Sequence, residues 1–495
     1  MLGGRCTKSQ ICPSGFFSAS VIAVGRFWVY QPAHMPLPHP VDTIAAIATA
    51  SGAGAIAIVR VSGRAAFPLA DQIFRCPVPP PSERPAGTFV HGQAIHPGSG
   101  EILDDALLLV FRAPHSYTGE DSVEIQCHGG SQTARRILGA ALAAGARQAE
   151  PGEFTKRAFL NDKINLTQAE AVLDLIHARS ERSARLATAQ LEDALGQRIC
   201  SLYQELLAVT ADLEAMLDFP DDEVPHTVAS NISKRINVLS ADIQALLNTW
   251  QEGHLLRDGA RVVIAGAPNV GKSTLLNLLA GHDRAIVSPH PGTTRDTIEV
   301  EVILQGYPIH LIDTAGLRDT PCEIEQEGVR RTRHALSQAD LCICLLDASQ
   351  AVSPDETAFL NAHDPRTILV VLNKIDLGQK IRPDDLPKLD SLAVSLKNNH
   401  PRDEIGTKIL QKLLQRNITA DAGTVAISAR HRDALLHAAD DLNRCQNRLK
   451  DDSEAELVLA ATHAQSALEQ IGCILGKNYT EDMLDSIFLR FCVGK

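Results

Sequence analysis

The sequence has few aromatic residues, no long hydrophobic run and no paired cysteines, and each shortage excludes a class of protein. Aromatic residues make up 4% of the chain while 44% of it is hydrophobic, which suits ordinary cores and excludes wholesale disorder. No apolar run reaches the roughly 18 residues of a membrane-spanning helix, so we expect no membrane association. The 11 cysteines include no Cys-x-x-Cys pair, which argues against a disulfide scaffold or zinc site and is typical of a reducing compartment.

The chain as a whole carries a net charge of −12, which disfavours a protein that coats nucleic acid without regard to sequence. Residues 1–40, however, contain no acidic residue. This extension contains Arg5, Lys8 and Arg26, and Met35 lies near its end. It has three interpretations: a misread upstream start codon, an organelle transit peptide, or, least favoured, a secretory signal. We expect it to be disordered and leave it out of the fold. The rest of the chain looks intracellular, so we expect a cytoplasmic location, or a mitochondrial one if the extension is a transit peptide.

The hydrophobic and proline patterns change along the remaining chain. Residues 41–160 mix short strand-like runs with turn signals. Residues 165–217 contain no proline and repeat apolar residues at helical spacing, which predicts one long helix or two nearly collinear ones, and a further helical stretch covers about 230–257. Strand and helix patterns alternate over about 261–417, as in a parallel α/β sheet, and residues 420–495 are helical again.

The strongest motif is a phosphate-binding loop. Gly266–Ser273 reads G-x-x-x-x-G-K-S, follows a predicted strand and opens the helical segment Thr274–Leu279. Glycines let backbone N–H groups approach phosphates, Lys272 would supply charge to the β and γ phosphates, and Ser273 could bind Mg²⁺. The chain therefore contains a predicted nucleotide site.

Two further motifs follow in the order found in GTP-binding proteins. Asp313–Gly316 reads D-T-A-G and Asn373–Asp376 reads N-K-I-D, and each ends a predicted strand. The Asp376 carboxylate can accept two hydrogen bonds from a guanine edge, whereas a buried carboxylate facing adenine would be unpaired. The predicted base is therefore guanine, and ATP is the disfavoured alternative.

Two tripeptides could form the last base-contacting loop. Ser428-Ala429-Arg430 looks like the usual motif but lies far beyond Asn373, with helix-like sequence directly after it. Ser395-Leu396-Lys397 follows an apolar run at the spacing of one strand–helix unit. The spacing favours Ser395 and Lys397.

The usual water-orienting glutamine is missing, because Leu317 follows the D-T-A-G motif. Carboxylates in Glu323–Glu327 could replace it. The Asn269 side chain could bind a monovalent cation where an arginine finger would otherwise place its charge. In the loop Gly292–Asp296, Thr294 is the expected Mg²⁺ ligand.

The ordered motifs G-x-P-N-x-G-K-S, G-T-T-R-D, D-T-A-G-L-R and N-K-x-D resemble those of the MnmE (TrmE) family of tRNA-modification GTPases. The closing Phe491–Lys495 is similar to that family's terminal C-x-G-K motif. Matches also occur in the first zone, at Asp42–Ile44, Arg60–Gly63, Ser116–Asp121, His128–Gly130 and Pro151–Phe154. The resemblance covers residues 42–495.

The resemblance implies a multidomain α/β and all-α fold. Its parts would be an α+β folate-binding domain, a helical domain built from two segments, and an inserted Ras-like P-loop GTPase domain with a mainly parallel sheet. The expected boundaries are 1–40 for the extension, 41–162 for the N-terminal tetrahydrofolate-binding and dimerisation domain, 163–258 and 418–495 for the helical domain, and 259–417 for the G domain.

The resemblance also implies an activity. The homodimer would join an FAD-dependent MnmG-type partner in a heterotetramer. Together they would place a carboxymethylaminomethyl or aminomethyl group on C5 of the wobble uridine of certain tRNAs. The one-carbon donor would be 5-formyl- or methylene-tetrahydrofolate, and potassium-dependent dimerisation of the G domains would activate GTP hydrolysis. An Era-like ribosome-assembly GTPase is the alternative, but Era-type proteins end in an RNA-binding KH module with a G-x-x-G loop, and no such pattern follows residue 417.

Residue by residue, the resemblance implies folate contacts at Arg60, Glu124, Lys163 and Lys495. The cations suit the folate carboxylates and the carboxylate suits the pterin N–H groups. Cys492 would lie near this pocket, either with a nucleophilic or redox role or as a small buried thiol.

For the nucleotide site the resemblance implies Glu325 as the catalytic, water-positioning carboxylate and Ser273 and Thr294 as Mg²⁺ ligands. The K⁺ ligands would be Asn269, Ser288, His290 and Thr293. The prolines of the Ser288–Pro291 loop depart from the family pattern and are expected to stiffen the potassium loop, and Leu396 replaces a small residue. The residues expected to contact GTP are Asn269, Val270, Gly271, Lys272, Ser273, Thr274, Ser288, Pro289, His290, Pro291, Gly292, Thr293, Thr294, Asp313, Thr314, Ala315, Gly316, Asn373, Lys374, Asp376, Ser395 and Lys397.

Overall fold

The computed structural model of the chain describes residues 42–218, 226–281, 299–313, 336–382, 386–398, 401–414, 425–451 and 453–495, and a two-residue strand pair at Ala23–Val24 and Phe27–Trp28. The side chains of residues 226–229 and 299 lie outside this description. The chain divides into two compact units. The first comprises Met1–Lys163, Ala215–Glu223 and Cys492–Lys495, and the second comprises Ile164–Glu214 and Val224–Phe491.

The first unit is built on a seven-stranded sheet in the order β3-β4-β5-β6-β2-β1-β7, antiparallel throughout except for the parallel pair β1–β7. Its strands are β1 Ile44–Ile47, β2 Ile56–Ser62, β3 Phe74–Arg75, β4 Phe89–Ile95, β5 Ile102–Phe111, β6 Ser122–His128 and β7 Arg147–Gln148. Its helices are α1 Ala66–Ile73, α2 Ser131–Ala143 and α3 Glu153–Leu160, with a 3₁₀ turn at Pro81–Glu83.

The two faces of this sheet have different roles. Alternate residues of β2 and β6, such as Val59 and Ile125, are fully buried in the core that α1 and α2 complete. Because successive strand residues point to opposite faces, Arg60 and Glu124 lie on the other face. That face carries a smaller core around Ile44 and Phe154. The folate contacts predicted on β2 and β6 therefore lie opposite the helical layer.

The second unit contains a six-stranded sheet in the order β9-β10-β8-β11-β12-β13, parallel except for the antiparallel pair β9–β10. Its strands are β8 Ala260–Ala265, β9 Glu299–Leu304, β10 Tyr307–Asp313, β11 Leu341–Asp347, β12 Ile368–Asn373 and β13 Ser391–Ala393. Apolar residues of α9 and α11 pack into the core on one face, and Leu360 of α10 packs on the other. Helices α9, α10 and α11 span Lys272–Ala280, Pro354–Asn361 and Arg402–Leu414.

The other described helices of the chain frame this sheet in sequence. They are α4 Leu166–His177, α5 Glu181–Leu191, α6 Ala194–Asp218, α7 His226–Leu247, α8 Trp250–Asp258, α12 Ala429–Arg448, α13 Glu454–Leu475 and α14 Glu481–Phe488. Helix α12 packs against α13, α7 and α8, so segments before and after the sheet share one helical layer. The prediction of a multidomain α/β and all-α fold with a mainly parallel sheet is confirmed. No helix in the described ranges is long and apolar enough to cross a membrane.

One prediction about the helices was wrong. Residues 165–217 form three helices rather than one or two, because local polar groups end them without proline. Ser180 begins α5 with a capping box, in which its hydroxyl accepts from the Ser183 N–H at 3.1 Å. Asp193 has a left-handed φ of 70°, which separates α5 from α6.

Candidate functional site

The phosphate loop lies at the carboxyl end of β8, in the middle of the six-stranded sheet. Gly271 is the N-cap of α9 with φ 111°, and a Cβ there would come within 2.5 Å of the Asn373 Nδ2. A Cβ at Gly266 would come within 2.3 Å of the Leu345 carbonyl oxygen. Only glycine fits these two positions, and the backbone between them can therefore approach a ligand closely.

The first turn of α9 supplies groups that suit an anion. The backbone N–H groups of Lys272, Ser273 and Thr274 stand at a helix N-terminus, where they and the helix dipole favour phosphate. The Lys272 ammonium group donates to the carbonyl oxygens of Gly266 at 3.0 Å and Ala267 at 2.8 Å, so it lies over the loop. The Ser273 side chain is exposed.

Asn373, at the end of β12, joins the phosphate loop to the predicted base-contacting loop. Its side-chain Nδ2 donates to the Val270 carbonyl at 2.8 Å, and its Oδ1 accepts from the Leu396 N–H at 3.1 Å. The residue is buried. A buried amide with a partner on each side fixes both loops, so Asn373 acts through the backbone of its neighbours.

The neighbouring charged residues are also placed at this edge. The Lys374 ammonium group pairs with Asp347 at 2.7 Å. Burial by itself would raise the pKa of Asp347, but hydrogen bonds from Lys374 and Ser349 outweigh it and lower the pKa. Asp376 lies on a 3₁₀ turn and is exposed, so its carboxylate is open to a ligand rather than buried as the sequence argument assumed.

The competing base loops have different surroundings. Ser395 is buried beside Asn373, and its Oγ has no hydrogen-bond partner among the described residues, whereas Lys397 is exposed. Ser428 caps α12, where its hydroxyl accepts from the His431 N–H at 3.3 Å. The structure gives Ser428 a local structural task, and Ser395 and Lys397 remain the predicted base contacts.

Several predicted contacts lie outside the described residues. Asp313 belongs to the described residues. It is the last residue of β10, it is buried, and it pairs in register with Ile264 of β8. Within the described ranges, no group of three or more His, Cys, Asp or Glu side chains is arranged to hold a metal ion. Of the predicted metal ligands, Ser273 and Asn269 are described. The residues outside are Ser288, Pro289, His290, Pro291, Gly292, Thr293, Thr294, Thr314, Ala315, Gly316 and Glu325.

The first unit holds a second candidate site on the sheet face that carries Arg60 and Glu124. Arg60 and Glu124 are directly opposite in the β2–β6 pairing, and the Arg60 Nε donates to Glu124 at 2.8 Å. The Arg60 guanidinium carbon lies 5.3 Å from the centre of the Tyr117 ring and 5.5 Å from that of Phe154. Its Nη1 is buried without a hydrogen-bond partner among the described residues. A buried donor of this kind suits an anionic ligand such as a folate carboxylate.

Tyr117 is a site residue that the sequence argument missed. Its hydroxyl is hydrogen-bonded to the Thr155 hydroxyl at 2.9 Å, and burial raises its pKa. The loop that carries it is fixed by Ser62, whose hydroxyl donates to Glu120 at 2.8 Å. The motif Ser116–Asp121 was a usable signal, because an aromatic residue between turn-forming polar residues indicates a positioned ring.

A cluster of ion pairs around the buried Arg157 contacts the loop that carries Tyr117. Arg157 is 1% exposed and donates to Asp42 at 2.8 Å, to Glu153 at 2.9 Å and to Glu120 at 3.2 Å. Burial by itself would raise the pKa of Glu153, but the hydrogen bonds from Arg147 and Arg157 outweigh it and lower the pKa. These contacts give the motif residues Asp42, Glu120 and Glu153 a structural role.

The closing segment of the chain belongs to this unit. Val493 forms an antiparallel bridge with Pro151, and the Gly152 N–H donates to the Cys492 carbonyl at 3.4 Å. A Cβ at Gly494, where φ is 99°, would come within 2.3 Å of the Ile47 carbonyl oxygen, so glycine is needed for this close passage. The alternative of a small buried thiol at Cys492 is wrong, because that residue is exposed.

The segment brings Lys495 to the Arg60–Glu124 pair. Burial lowers the pKa of Lys495, the charge on Arg60 lowers it further, and Glu124 opposes both. Lys163 donates from its ammonium group to the Pro114 carbonyl at 3.0 Å, at the start of the loop that holds Tyr117. The four predicted folate contacts thus lie on one sheet face and its adjoining loop.

Known proteins and protein families share extensive sequence with this chain. The family description "GTP-binding protein TrmE N-terminus" matches residues 43–163, and "MnmE helical domain" matches residues 166–492. A tRNA modification GTPase MnmE from Geotalea uraniireducens is 40% identical over 459 residues, which cover 92% of this chain and 99% of that protein. The protein of the same name from Chloroflexus aurantiacus is 44% identical, over 92% of this chain and 100% of that protein.

Among solved structures, the G domain of a FeoB iron transporter from T. maritima aligns with 31% of this chain and 98% of its own, at 26% identity and a TM-score of 0.24. That score is too low to support an argument about fold. The two family matches and the relatives, which extend over 92% of the chain, carry the assignment. The chain therefore belongs to the MnmE family of tRNA modification GTPases.

Proposed function

We propose that this chain binds and hydrolyses GTP and that the hydrolysis serves the modification of tRNA. The observation that carries the proposal is the double hydrogen bond of Asn373, which holds the phosphate loop at Val270 and the base loop at Leu396. One side chain thus holds both the loop expected to bind the phosphates and the loop expected to bind the base. This arrangement is suited to binding the phosphates and the base of one nucleotide together. Family membership supplies the tRNA part of the proposal.

At the nucleotide, each predicted residue would have a distinct task. The backbone of Gly271 and Lys272 binds phosphate oxygens, and the Lys272 ammonium group offsets their charge. Asp376 accepts hydrogen bonds from the guanine edge. Mg²⁺, held by Ser273 and Thr294, would neutralise charge on the phosphates. Glu325 orients the attacking water, as the resemblance implies.

We further propose that the sheet face of the first unit binds a tetrahydrofolate, 5-formyl or methylene in form. The unpartnered Arg60 Nη1 and the half-buried Lys495 suit carboxylates, Glu124 suits pterin N–H groups, and Lys163 completes the set. A folate would supply a one-carbon unit there. With an FAD-dependent MnmG-type partner in a heterotetramer, the homodimer would modify C5 of the wobble uridine. Dimerisation through the first unit and a bacterial cytoplasmic location are proposed from the resemblance alone.

Potassium activation is tested by GTP turnover in potassium and sodium chloride at equal ionic strength. We expect turnover to be about tenfold or more faster in potassium, because one added positive charge on the reacting phosphates is worth at least that factor. The stimulation should rise with protein concentration if the G domains dimerise. Asn269→Gly is a useful companion variant, since glycine tolerates the φ of 62° at this position and removes only the amide ligand.

That variant should bind GTP normally and lose the potassium stimulation. Equal rates in the two salts for the unsubstituted chain would contradict a functional potassium site, and the Ser288–Pro291 loop would be the first place to examine. A stimulation that survives in Asn269→Gly would contradict Asn269 as a ligand.

The folate site is tested by calorimetry with 5-formyl-tetrahydrofolate. Lys495→Gln should weaken binding by about ten- to a hundredfold, because the variant loses one charge-assisted hydrogen bond of about 1.5–3 kcal/mol. Lys450→Gln is the matched control, since Lys450 is an exposed lysine that contacts Asn447. Equal affinity in the Lys495 variant would show that this lysine is not a folate ligand.

A further inference from the structure

Helix α5 contacts the antiparallel strand pair β9–β10 through one arginine. The Arg182 guanidinium carbon lies 4.5 Å from the centre of the Tyr307 ring, and its Nη2 donates to Glu252 of α8 at 2.7 Å. The Tyr307 hydroxyl donates to the same Glu252 oxygen at 2.8 Å. Tyr307 is 1% exposed. Arg182, Glu252 and Tyr307, here called the arginine–tyrosine contact, therefore join two helices to the first residue of β10.

The turn of the strand pair lies against the same helix. A Cβ at Gly306 would be 3.3 Å from the Arg182 Cβ, so the turn approaches α5 closely. Arg179, just before α5, donates to Glu301 of β9 at 3.0 Å and lies 3.2 Å from the His310 Nε2 of β10. Both strands of the pair are therefore contacted from this end of α5.

The rest of α5 packs on the six-stranded sheet and on the segment that precedes α12. Leu186 packs against the core of the six-stranded sheet. The Gln190 side chain, 3% exposed, donates to the Ala426 carbonyl, just before α12. The far end of α5 is thus held by the segment before α12, while its first turn contacts the strand pair.

Helix α4 fixes the two chain segments that enter and leave the sheet. Asp174 pairs with Arg257, at the end of α8, and Glu170 pairs with Arg430 at 2.8 Å, at the start of α12. The carboxylates are four residues apart and so lie on one face of α4. Partly buried pairs of this kind are costly to separate, because each partner would remain as a charge without compensation in a partly desolvated position. They form a fixed frame around the sheet.

The strand pair differs from this frame in its position in the sequence. Strand β9 follows the segment Gly292–Asp296, and β10 ends at Asp313, the first residue of D-T-A-G. On the proposed function, these two segments bind the Mg²⁺ and the γ-phosphate. A change at the γ-phosphate would therefore act on both outer ends of β9–β10, and α5 bears on the turn between them.

The arginine–tyrosine contact is incompletely satisfied in the structure. The Arg182 Nε is buried without a hydrogen-bond partner among the described residues. An unpaired buried donor is unfavourable, so less free energy is needed to exchange this arrangement for one that pairs the donor. A contact with a stable frame on one side and an unsatisfied donor at its centre is suited to two alternative arrangements.

We infer that Arg182 is a positioning residue that transmits the nucleotide state of the sheet to helix α5 through Tyr307 and Glu252. The inference rests on the proposed function, since it requires the chain to bind guanine nucleotide. By this route a shift of β9–β10 moves the Tyr307 ring and hydroxyl, and Arg182 passes the shift to the first turn of α5. GTP hydrolysis thereby reaches the helical layer.

The experiment is hydrogen–deuterium exchange of the full chain with GDP and with a non-hydrolysable GTP analogue, read on peptides within residues 180–191. In the unsubstituted chain the exchange rates of the first turn of α5 should differ between the two nucleotides by about tenfold. Arg182→Met keeps an unbranched side chain in place of the aliphatic part of arginine but removes the guanidinium group, and it should abolish that difference while GTP turnover stays within about twofold. Arg185→Met is the matched control, because Arg185 lies on the same helix and pairs only with exposed Glu181 among its described contacts.

Arg185→Met should retain the nucleotide-dependent difference. Loss of the difference in both variants would overturn the inference, because it would reflect a general weakening of α5. A nucleotide-dependent difference that persists in Arg182→Met would overturn it, and so would its absence from the unsubstituted chain with analogue bound. Failure of the unsubstituted chain to bind any guanine nucleotide would instead overturn the proposed function.

Discussion

Gly271→Ala is expected to reduce GTP affinity by about a hundredfold or more. The left-handed φ of 111° at this position costs a non-glycine residue about 1–3 kcal/mol. The new Cβ would also lie 2.5 Å from the Asn373 Nδ2 and force that amide away from the Val270 carbonyl. The phosphate loop and the base loop would then lose their shared anchor. Binding of a fluorescent GDP or GTP derivative measures the effect directly.

Gly378→Ala separates the two causes. Gly378 has a similar φ of 100°, but a Cβ there meets nothing within 4 Å. We expect this variant to lose some stability through backbone strain and to bind GTP almost normally. If Gly271→Ala also bound GTP normally, the Asn373 bridge would not be what holds the site in its binding conformation.

Asp376→Asn is expected to exchange guanine for xanthine selectivity. The carboxylate would lose two charge-assisted hydrogen bonds of about 1.5–3 kcal/mol each, so GTP affinity should fall by about 10²–10⁴-fold. An amide N–H at this position can donate to the extra xanthine carbonyl, and the affinity for xanthosine triphosphate should rise. Because Asp376 is exposed, we expect little change in the free energy of unfolding.

A competition assay with the two triphosphates checks this exchange. Asp355→Asn is a suitable control, since Asp355 is an exposed aspartate in the first turn of α10. Unchanged guanine selectivity in the Asp376 variant would mean that another group reads the base.

The sequence predicted the parts of the fold that depend on local pattern. The apolar runs of β8, β10 and β12 are buried strands, and the motif residues Asp313 and Asn373 stand at strand ends as expected. These predictions succeed because a parallel sheet brings the carboxyl ends of its strands to one edge. Motifs that are separated along the chain therefore lie close together at this edge of the sheet.

Contacts that depend on tertiary packing could not be predicted in this way. The hydrogen bonds of Asn373 to Val270 and Leu396 join segments that are distant along the chain and come together only in the folded sheet. The cation–π contact of Arg60 with Tyr117 joins a strand to a distant loop. The breaks on either side of α5 lack proline or glycine, and a serine capping box with a second serine is a weak signal. Tertiary context decides each of these cases.

The passage of residues 492–495 along β1 and the Pro151–Gly152 turn has a consequence for synthesis. The ribosome makes the sheet of the first unit first, then the second unit, and only then the segment that pairs with Pro151 of the first unit. On the ribosome, the first unit therefore keeps an unfilled groove beside Ile47 until residues 492–495 have been made, and filling that groove depends on a contact between residues far apart in the sequence. A nascent chain that stalls after the six-stranded sheet would have its nucleotide loop and lack Lys495. Ribosome quality control would then be acting on a chain that has its phosphate loop and an incomplete folate site.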